Sequence, residues 1–410
     1  MNALLLSVAP LLSSGDLAPS PAELRIEHTL DAIATQPARF QHYNALALGL
    51  ARRARETADP EFYARAHGAL DVSLALSPDN FVARRTRAWV FLGQHRFEEG
   101  LALAAELQRA VPDDLLLYGF LVDGHVELGN YAAAEEACQW MLDMRPGNVP
   151  ALTRAAYLRE LFGDLEGALD LMEQAYARVP DSAREDRAWI LAQIAHLQRN
   201  AGRWDIELAV SEAALEIFPD YHYALAELGR ARGELGDLDG AVAALRERHA
   251  VAPHPENRYD LAVALAAAGR TDEARAELAT FEAEAILESE ALDNANRELV
   301  AFYLDHADSA DAGSEALSIT TRERERRRDV HTRHLHARAL LAAGRVAEAA
   351  DEMEAVFEVG TRETGMLLTA ARVELAAGAP EKARRHLEAC VGARPASTDA
   401  SVAREMLAGL

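Results

Sequence analysis

Lysine is almost missing from this chain: Lys382 is the only one in 410 residues, and arginine makes up the rest of the 42 basic groups. Against 66 acidic residues these leave a formal charge of −24. That balance excludes broad nucleic-acid binding, because neutralising phosphates needs a basic face. Arginine and lysine have nearly equal helix propensity, so the bias does not alter the fold, and it reads as GC-rich coding. Cysteine is as scarce. Cys138 and Cys390 fall on the apolar faces of predicted helices many repeats apart, so two buried, inert thiols are expected and not a disulfide. Their number therefore marks no redox compartment. No apolar run approaches the roughly 20 residues of a membrane helix. There is no GxxxxGK[ST] phosphate loop, no HExxH and no GxSxG elbow, so no enzyme, no cofactor and no metal site is expected. The apolar start, Met1 to Leu12, is broken by Pro10 and precedes the first basic residue, Arg25. A secretory signal wants its positive charge first. Residues 1–19 are expected to be a flexible tail on a cytoplasmic protein; the alternative is a secreted or periplasmic one, should residues 1 to about 20 act as a signal.

What is abundant is alanine and leucine, in a sequence half apolar and only 6% aromatic. These are the best helix formers. Prolines punctuate them at Pro78, Pro112, Pro146, Pro180, Pro219 and Pro253, at separations of 34, 34, 34, 39 and 34 residues. Each can end a helix, because it lacks an N–H and restricts the residue before it. Twelve residues before these prolines stand Ala66, Gly100, Ala134, Ala168, Glu207 and Ala241; fifteen before stand Tyr63, Phe97, Tyr131, Leu165, Trp204 and Leu238. Small residues let helices approach, and bulky ones fill the wedge beside the turn. Glu207 breaks the small-residue rule, and its repeat is expected to be re-registered. Gly129, Gly163, Gly202 and Gly236 fall between paired helices, where glycine closes a helix in the left-handed conformation.

A 34-residue helix–turn–helix period with Leu228-Gly229, Gly236-Asp237-Leu238 and Ala241 closing at Pro253 resembles the tetratricopeptide repeat. The resemblance covers residues 42 to about 397. Through Tyr118-Gly119, Glu127-Leu128-Gly129, Asp143-Met144-Arg145-Pro146 and Asp305-His306 the chain is also similar to long bacterial proteins of that family with no assigned activity. The resemblance implies an all-α, right-handed α-α superhelix of about nine to ten repeats with a concave inner face. Along the chain, a capping box at Ser20-Pro21-Ala22-Glu23 opens a capping helix over 20–41, and about seven repeats fill 42–282. A degenerate helical repeat covers 283–328, two repeats cover 329–397, the last closing at Pro395, and a capping helix covers 398–410. The longer interval is expected to hold an extra polar turn, Ser182 to Asp186, before Trp189.

In the family the first helix of each pair lines the groove, which implies inner-face positions at Trp89, Asp123, Tyr157, His196, Arg230, Arg338 and Arg372, with Val263 the one aliphatic. Neighbouring helical offsets add Arg85, Glu127, Glu160, Arg199, Tyr223 and Tyr259. Aromatics and arginine dominate interfaces, so the expected partner is another protein's peptide segment. Asp123, Glu127 and Glu160 favour a basic element in the middle, and Arg338 and Arg372 favour acidic groups at the far end. Trp204, at the wedge, is expected in the core. The alternative function is a regulatory sensor binding a small peptide or carbohydrate. The Arg322–Arg328 run is expected to be a solvated helix with i,i+4 pairs. His331, His334 and His336 are expected to be a solvated cluster, since only the first two share a helical face.

Overall fold

A computed structural model describes residues 19–307, 311–394 and 397–410. The expected tail, apart from Pro19, and Pro395 lie outside the described residues. Two compact units divide the chain between His125 and Val126. The first holds α1 (Pro21–Thr35), α2 (Phe40–Thr57), α3 (Glu61–Leu76), α4 (Phe81–Gly93), α5 (Phe97–Ala110) and most of α6 (Leu115–Glu127). Its first helix starts where the sequence places it. The Ser20 hydroxyl accepts from the Glu23 amide at 3.1 Å, and the Glu23 carboxylate accepts from the Ser20 amide at 2.8 Å, so two otherwise orphaned donors are satisfied. Ile26 of α1 then joins Leu46, Leu50, Phe62 and Leu70 in one apolar cluster.

The second unit runs through α7 (Tyr131–Met144), α8 (Val149–Leu161), α9 (Leu165–Tyr176), α10 (Arg184–Asn200), α11 (Trp204–Ile217), α12 (His222–Glu234), α13 (Leu238–Val251), α14 (Pro255–Ala267) and α15 (Thr271–Glu288). It continues with α16 (Asn296–Asp305), α17 (Ala312–Arg326), α18 (Val330–Ala342), α19 (Val346–Phe357), α20 (Thr364–Ala376), α21 (Pro380–Ala393) and α22 (Thr398–Ala408). Successive helices pair and stack as an α-α superhelix of repeats. The sequence period maps onto these boundaries. Pro78, Pro112, Pro146, Pro219 and Pro253 each stand two residues past the end of a helix, and Phe97, Tyr131, Leu165, Trp204 and Leu238 are each the first residue of one. Ala66, Ala134, Ala168 and Glu207 are completely buried. At Gly229 even a Cβ would sit 2.6 Å from Leu245 Cγ, so helix approach there admits no side chain. Met406 and Leu407 of α22 cover the apolar end of α20 and α21, as a terminal cap must.

Several details depart from the sequence reading. The repeat at Glu207 is not re-registered: α11 begins at Trp204, three residues before it, as α7 begins at Tyr131 three before Ala134. Trp204 itself is only partly buried. The longer interval is not an added loop turn. Arg184–Asp186 form the first turn of α10, which has 17 residues where α8 and α12 have 13. The arginines of the 322–328 run reach other helices: Arg322 pairs with Glu290, and Arg324 and Arg333 grip Glu352 from two sides. His336 is buried against the Thr320 hydroxyl at 3.0 Å, and His334 bonds Thr369. Burial lowers them to about 4 and about 3 respectively; His336 is buried and His334 half-buried.

The second unit also closes on itself, which the periodicity did not announce. Arg328, Arg362 and Arg394 lie just before α18, α20 and α22, and rest on Gly129, Gly163 and Gly202. The Arg328 amide donates to the Glu127 carbonyl at 2.8 Å, the Val330 amide to the Tyr131 hydroxyl at 2.8 Å, and Arg394 Nε to the Asn200 carbonyl at 3.2 Å. A Cβ on Gly129 would stand 2.6 Å from the Arg328 carbonyl oxygen, and one on Gly163 2.7 Å from that of Gly360. These glycines are needed for their positive φ, +73° and +80°, and again for the close approach. One turn of the superhelix is thereby seated on the next along a seam.

Candidate functional site: the inner face of the helical turn

In the first unit the residues expected on the inner face are Arg85, Trp89 and Asp123. Arg85 forms an ion pair with Asp114 across the helix pair and lies 5.5 Å from the Phe81 ring centre. Trp89 is partly buried and packs against the apolar cluster of this unit; Asp123 is also partly buried.

In the second unit the positions that repeat phase singles out are wired to one another. Glu160 of α8 meets His196 Nε2 of α10 at 2.6 Å and accepts from Asn200 at 2.8 Å. Arg199 touches His196 Nδ1 at 2.7 Å and donates to Glu227 of α12 at 3.0 Å. Arg230 bridges Glu227 at 2.7 Å and Asp260 of α14 at 3.0 Å, and Asp260 also receives Arg248 at 2.5 Å. Four alternate helices, α8, α10, α12 and α14, are thus tied by one charged chain. Burial alone would raise the Glu160 carboxyl, but the bond from His196 holds it below the usual range. Burial likewise opposes the charge on Arg230, and Asp260 and Glu227 overcome it, raising the guanidinium further.

At the second repeat of this chain of contacts sits Glu207, at a position where other repeats carry alanine or glycine. No protein donor bonds either carboxyl oxygen, and Arg199 Nε is 3.8 Å away. Two carboxylates cannot both ionise in such a place. Glu227 holds two arginines and keeps its charge, with a pKa lowered to about 2 although burial pulls the other way. Glu207 keeps its proton, raised to about 8 by burial and then by Glu227.

Tyr157 leaves 37% of its surface exposed, yet burial by surrounding protein, then Glu127 and Asp329, push its phenol well above the ordinary range. Its phenol thus lies in a partly exposed, charged environment. Arg297 shares it, pairing at 3.1 Å with Asp329, which is 2% exposed and caps α18 by accepting from the His331 and Thr332 amides. Burial opposes the Asp329 charge, and Arg297 then Arg327 hold it ionised, lowering it to about 2. Glu127 faces Arg327 at 3.5 Å. Tyr223, 37% exposed, lies tilted against His222 at 4.0 Å between ring centres. Tyr259 packs on Phe281 and His306, and Arg338 Nη2 donates to both carboxylate oxygens of Asp305 at 2.7 and 2.8 Å. Arg372 and Val263 are exposed. Beside the seam a cavity of about 310 Å³ is lined by Glu160, Asn200, His331, Arg362, Glu363 and Arg394.

Phase reasoning missed Glu227, Asp260, Arg297 and Asp329. Glu227 carried a signal, lying three residues before Arg230 on one helical face. Arg297 and Asp329 lie in and just past the stretch where the period blurs, and no local pattern joins them. Among the described residues no three His, Cys, Asp or Glu side chains are grouped to hold a metal ion, and no helix there is long and apolar enough to cross a membrane.

Residues 121–183 match the sequence profile of the tetratricopeptide repeat. No curated protein sequence matches the chain significantly. Among solved structures, the APC/C hetero-tetramer Cut9–Hcn1 is similar with a TM-score of 0.53 and 15% identity, over 94% of this chain and 67% of the other. The human IFIT1 dimer with PPP-AAAA gives 0.49 and 13%, over 92% and 95%. At such identities the first likeness shows the fold alone, and the second adds nothing to it.

Proposed function

We propose that this chain, which belongs to the tetratricopeptide-repeat family, is a non-catalytic scaffold holding a peptide segment of a partner protein on the inner face of its superhelix. The fold is one that serves as a protein-interaction scaffold; the groove and its occupant are our reading. The observation that carries it is the character of that face. Tyr157 and Tyr223 leave more than a third of their surface exposed, and Arg372 stands in solvent. Rings and guanidinium groups supply most interface energy. The charged chain from Glu160 to Asp260 fixes the helices beneath them, so little receptor entropy is lost on binding. Trp89 is a poorer probe, because it packs in its own unit's core.

The test replaces Tyr157 and Tyr223 with alanine and compares cross-linked partners recovered by the two full-length chains. Loss of specific partners with an unchanged circular dichroism spectrum is expected; recovery equal to wild type sinks the groove assignment. A second reading, a sensor for a small peptide or carbohydrate, is favoured by the cavity of about 310 Å³, which is of ligand size. Calorimetric titration with short peptides and sugars separates the two. A cytoplasmic location belongs to the same proposal, and N-terminal sequencing of the mature chain tests it.

A further inference from the structure

Glu127 belongs to the stretch of the inner face whose acidity asks for a basic segment, and in this structure a basic segment already lies there. It is the turn between α17 and α18, Arg327-Arg328-Asp329. Its contacts are those an incoming peptide would make. Arg327 faces the Glu127 carboxylate at 3.5 Å, the Arg328 amide donates to the Glu127 carbonyl at 2.8 Å, and the Val330 amide donates to the Tyr131 hydroxyl at 2.8 Å. Gly129 presents bare backbone to the Arg328 carbonyl, leaving no room for a Cβ between them. Asp329 meanwhile neutralises Arg297.

This closure is held by polar contacts. Among the described residues the apolar clusters built on α8–α12, on α14–α18 and on α19–α22 each stay on their own side of the seam, and no extensive helix–helix packing crosses it. Hydrogen bonds and partly exposed ion pairs are each individually weak in water, so the seam can open while every helix pair stays intact. Open, it exposes acceptors on one side: the Glu127 carboxylate and carbonyl and the Tyr131 hydroxyl. These acceptors, set against the Arg297 guanidinium that Asp329 leaves behind, favour a mainly basic segment over an acidic one.

We propose that Arg327–Asp329 is an internal ligand of the inner face, and that the partner segment which displaces it is basic, with adjacent arginines ahead of an acidic residue. This rests on the groove reading above and adds the chemistry of its occupant and a closed resting state. A competing segment must bring a guanidinium for Glu127, extended backbone N–H groups for the carbonyl and the hydroxyl, and a carboxylate for Arg297. The chain's own sequence from 324 to 333 has this order and makes the natural probe.

The experiment uses the full chain, its Arg327→Glu variant and a fluorescent peptide of sequence 324–333. Charge reversal sets two carboxylates against each other and ejects the turn while leaving Glu127 in place. Anisotropy is expected to give binding about ten-fold tighter to Arg327→Glu than to wild type, with no binding of an acidic peptide of equal length. Saturating probe should speed hydrogen exchange of the Arg328 and Val330 amides in wild type. The double variant Glu127→Arg, Arg327→Glu restores the pair and should lose the probe again. Equal affinity for wild type and variant overturns the proposal, as does absent binding to a variant whose two amides exchange faster. Should Arg327→Glu not fold, Arg327→Gln removes only the charge facing Glu127, keeps every acceptor for the probe and is read in the same way, with about three-fold expected. The groove reading is judged separately, by the Tyr157 and Tyr223 recovery, which involves no probe.

Discussion

Glu207→Gln should make this protein more stable in alkali and change it little in weak acid. The carboxyl is completely buried beside Glu227, and its pKa rises from an ordinary 4.5 to about 8 in the fold. A carboxyl raised in this way contributes its stability in full below about 4.5, and the contribution is lost as pH climbs through about 8. Glu227 acts in the opposite sense: held at about 2, it supports the fold at neutral pH and fails only in strong acid. Each tenfold change in acidity is worth ~1.4 kcal/mol, so an isolated Glu207 would lose at most about 5 kcal/mol. Since the two carboxyls share one proton and two arginines relax around them, about 2–3 kcal/mol is the expected loss between pH 5 and pH 9. Glutamine has nearly the same volume, donates to Glu227 as the protonated acid does, and cannot ionise. Urea midpoints followed by circular dichroism at several pH values are the assay. At pH 5.5 the two proteins should agree within about 1 kcal/mol, and at pH 9 the variant should lead by about 2–3 kcal/mol. Parallel pH curves, or a variant weaker at pH 9, would refute the shared-proton arrangement.

Gly163→Ala should cost more than Gly378→Ala. Both glycines have positive φ, +80° and +73°, but a Cβ on Gly163 meets the Gly360 carbonyl at 2.7 Å while one on Gly378 meets nothing within 4 Å. The left-handed penalty of about 1–2 kcal/mol applies to both; only Gly163→Ala should also speed amide exchange along the seam, and equal behaviour would mean the seam is open in solution. Cys138 and Cys390 are buried free thiols, and burial pushes Cys390 up to about 11. A disulfide-exchange reagent at pH 8 should therefore label neither until denaturant is added, and rapid labelling of the native chain would contradict the packing of α7 and α21.

Much of the fold was legible because a repeat protein states its local rules many times. Pro112, Pro146 and Pro253 mark helix ends, Tyr131 and Leu238 mark helix starts, and Ala134 and Ala168 mark close contact, all at one spacing. Glu207 shows the limit of that logic. A broken pattern suggested a shifted helix, whereas the helix kept its place and changed the chemistry around the intruding carboxyl. His336 and the 322–328 arginines show the same limit from the other side. Charged and titratable residues look solvated when only their own helix is considered, and Glu290, Glu352 and Thr320 arrive from elsewhere in the chain.

The sequence by itself determined the helix pairs, their ends and their close contacts, since those follow from proline, glycine and side-chain size within one period. Only the tertiary structure decided which distant residues meet. Helical pitch accumulates over successive repeats, and small rotations at each interface bring Arg328, Arg362 and Arg394 onto Gly129, Gly163 and Gly202 about two hundred residues earlier. No residue encodes that meeting locally. It places a basic turn on Glu127 and sets Asp329 against Arg297, contacts that no single repeat contains.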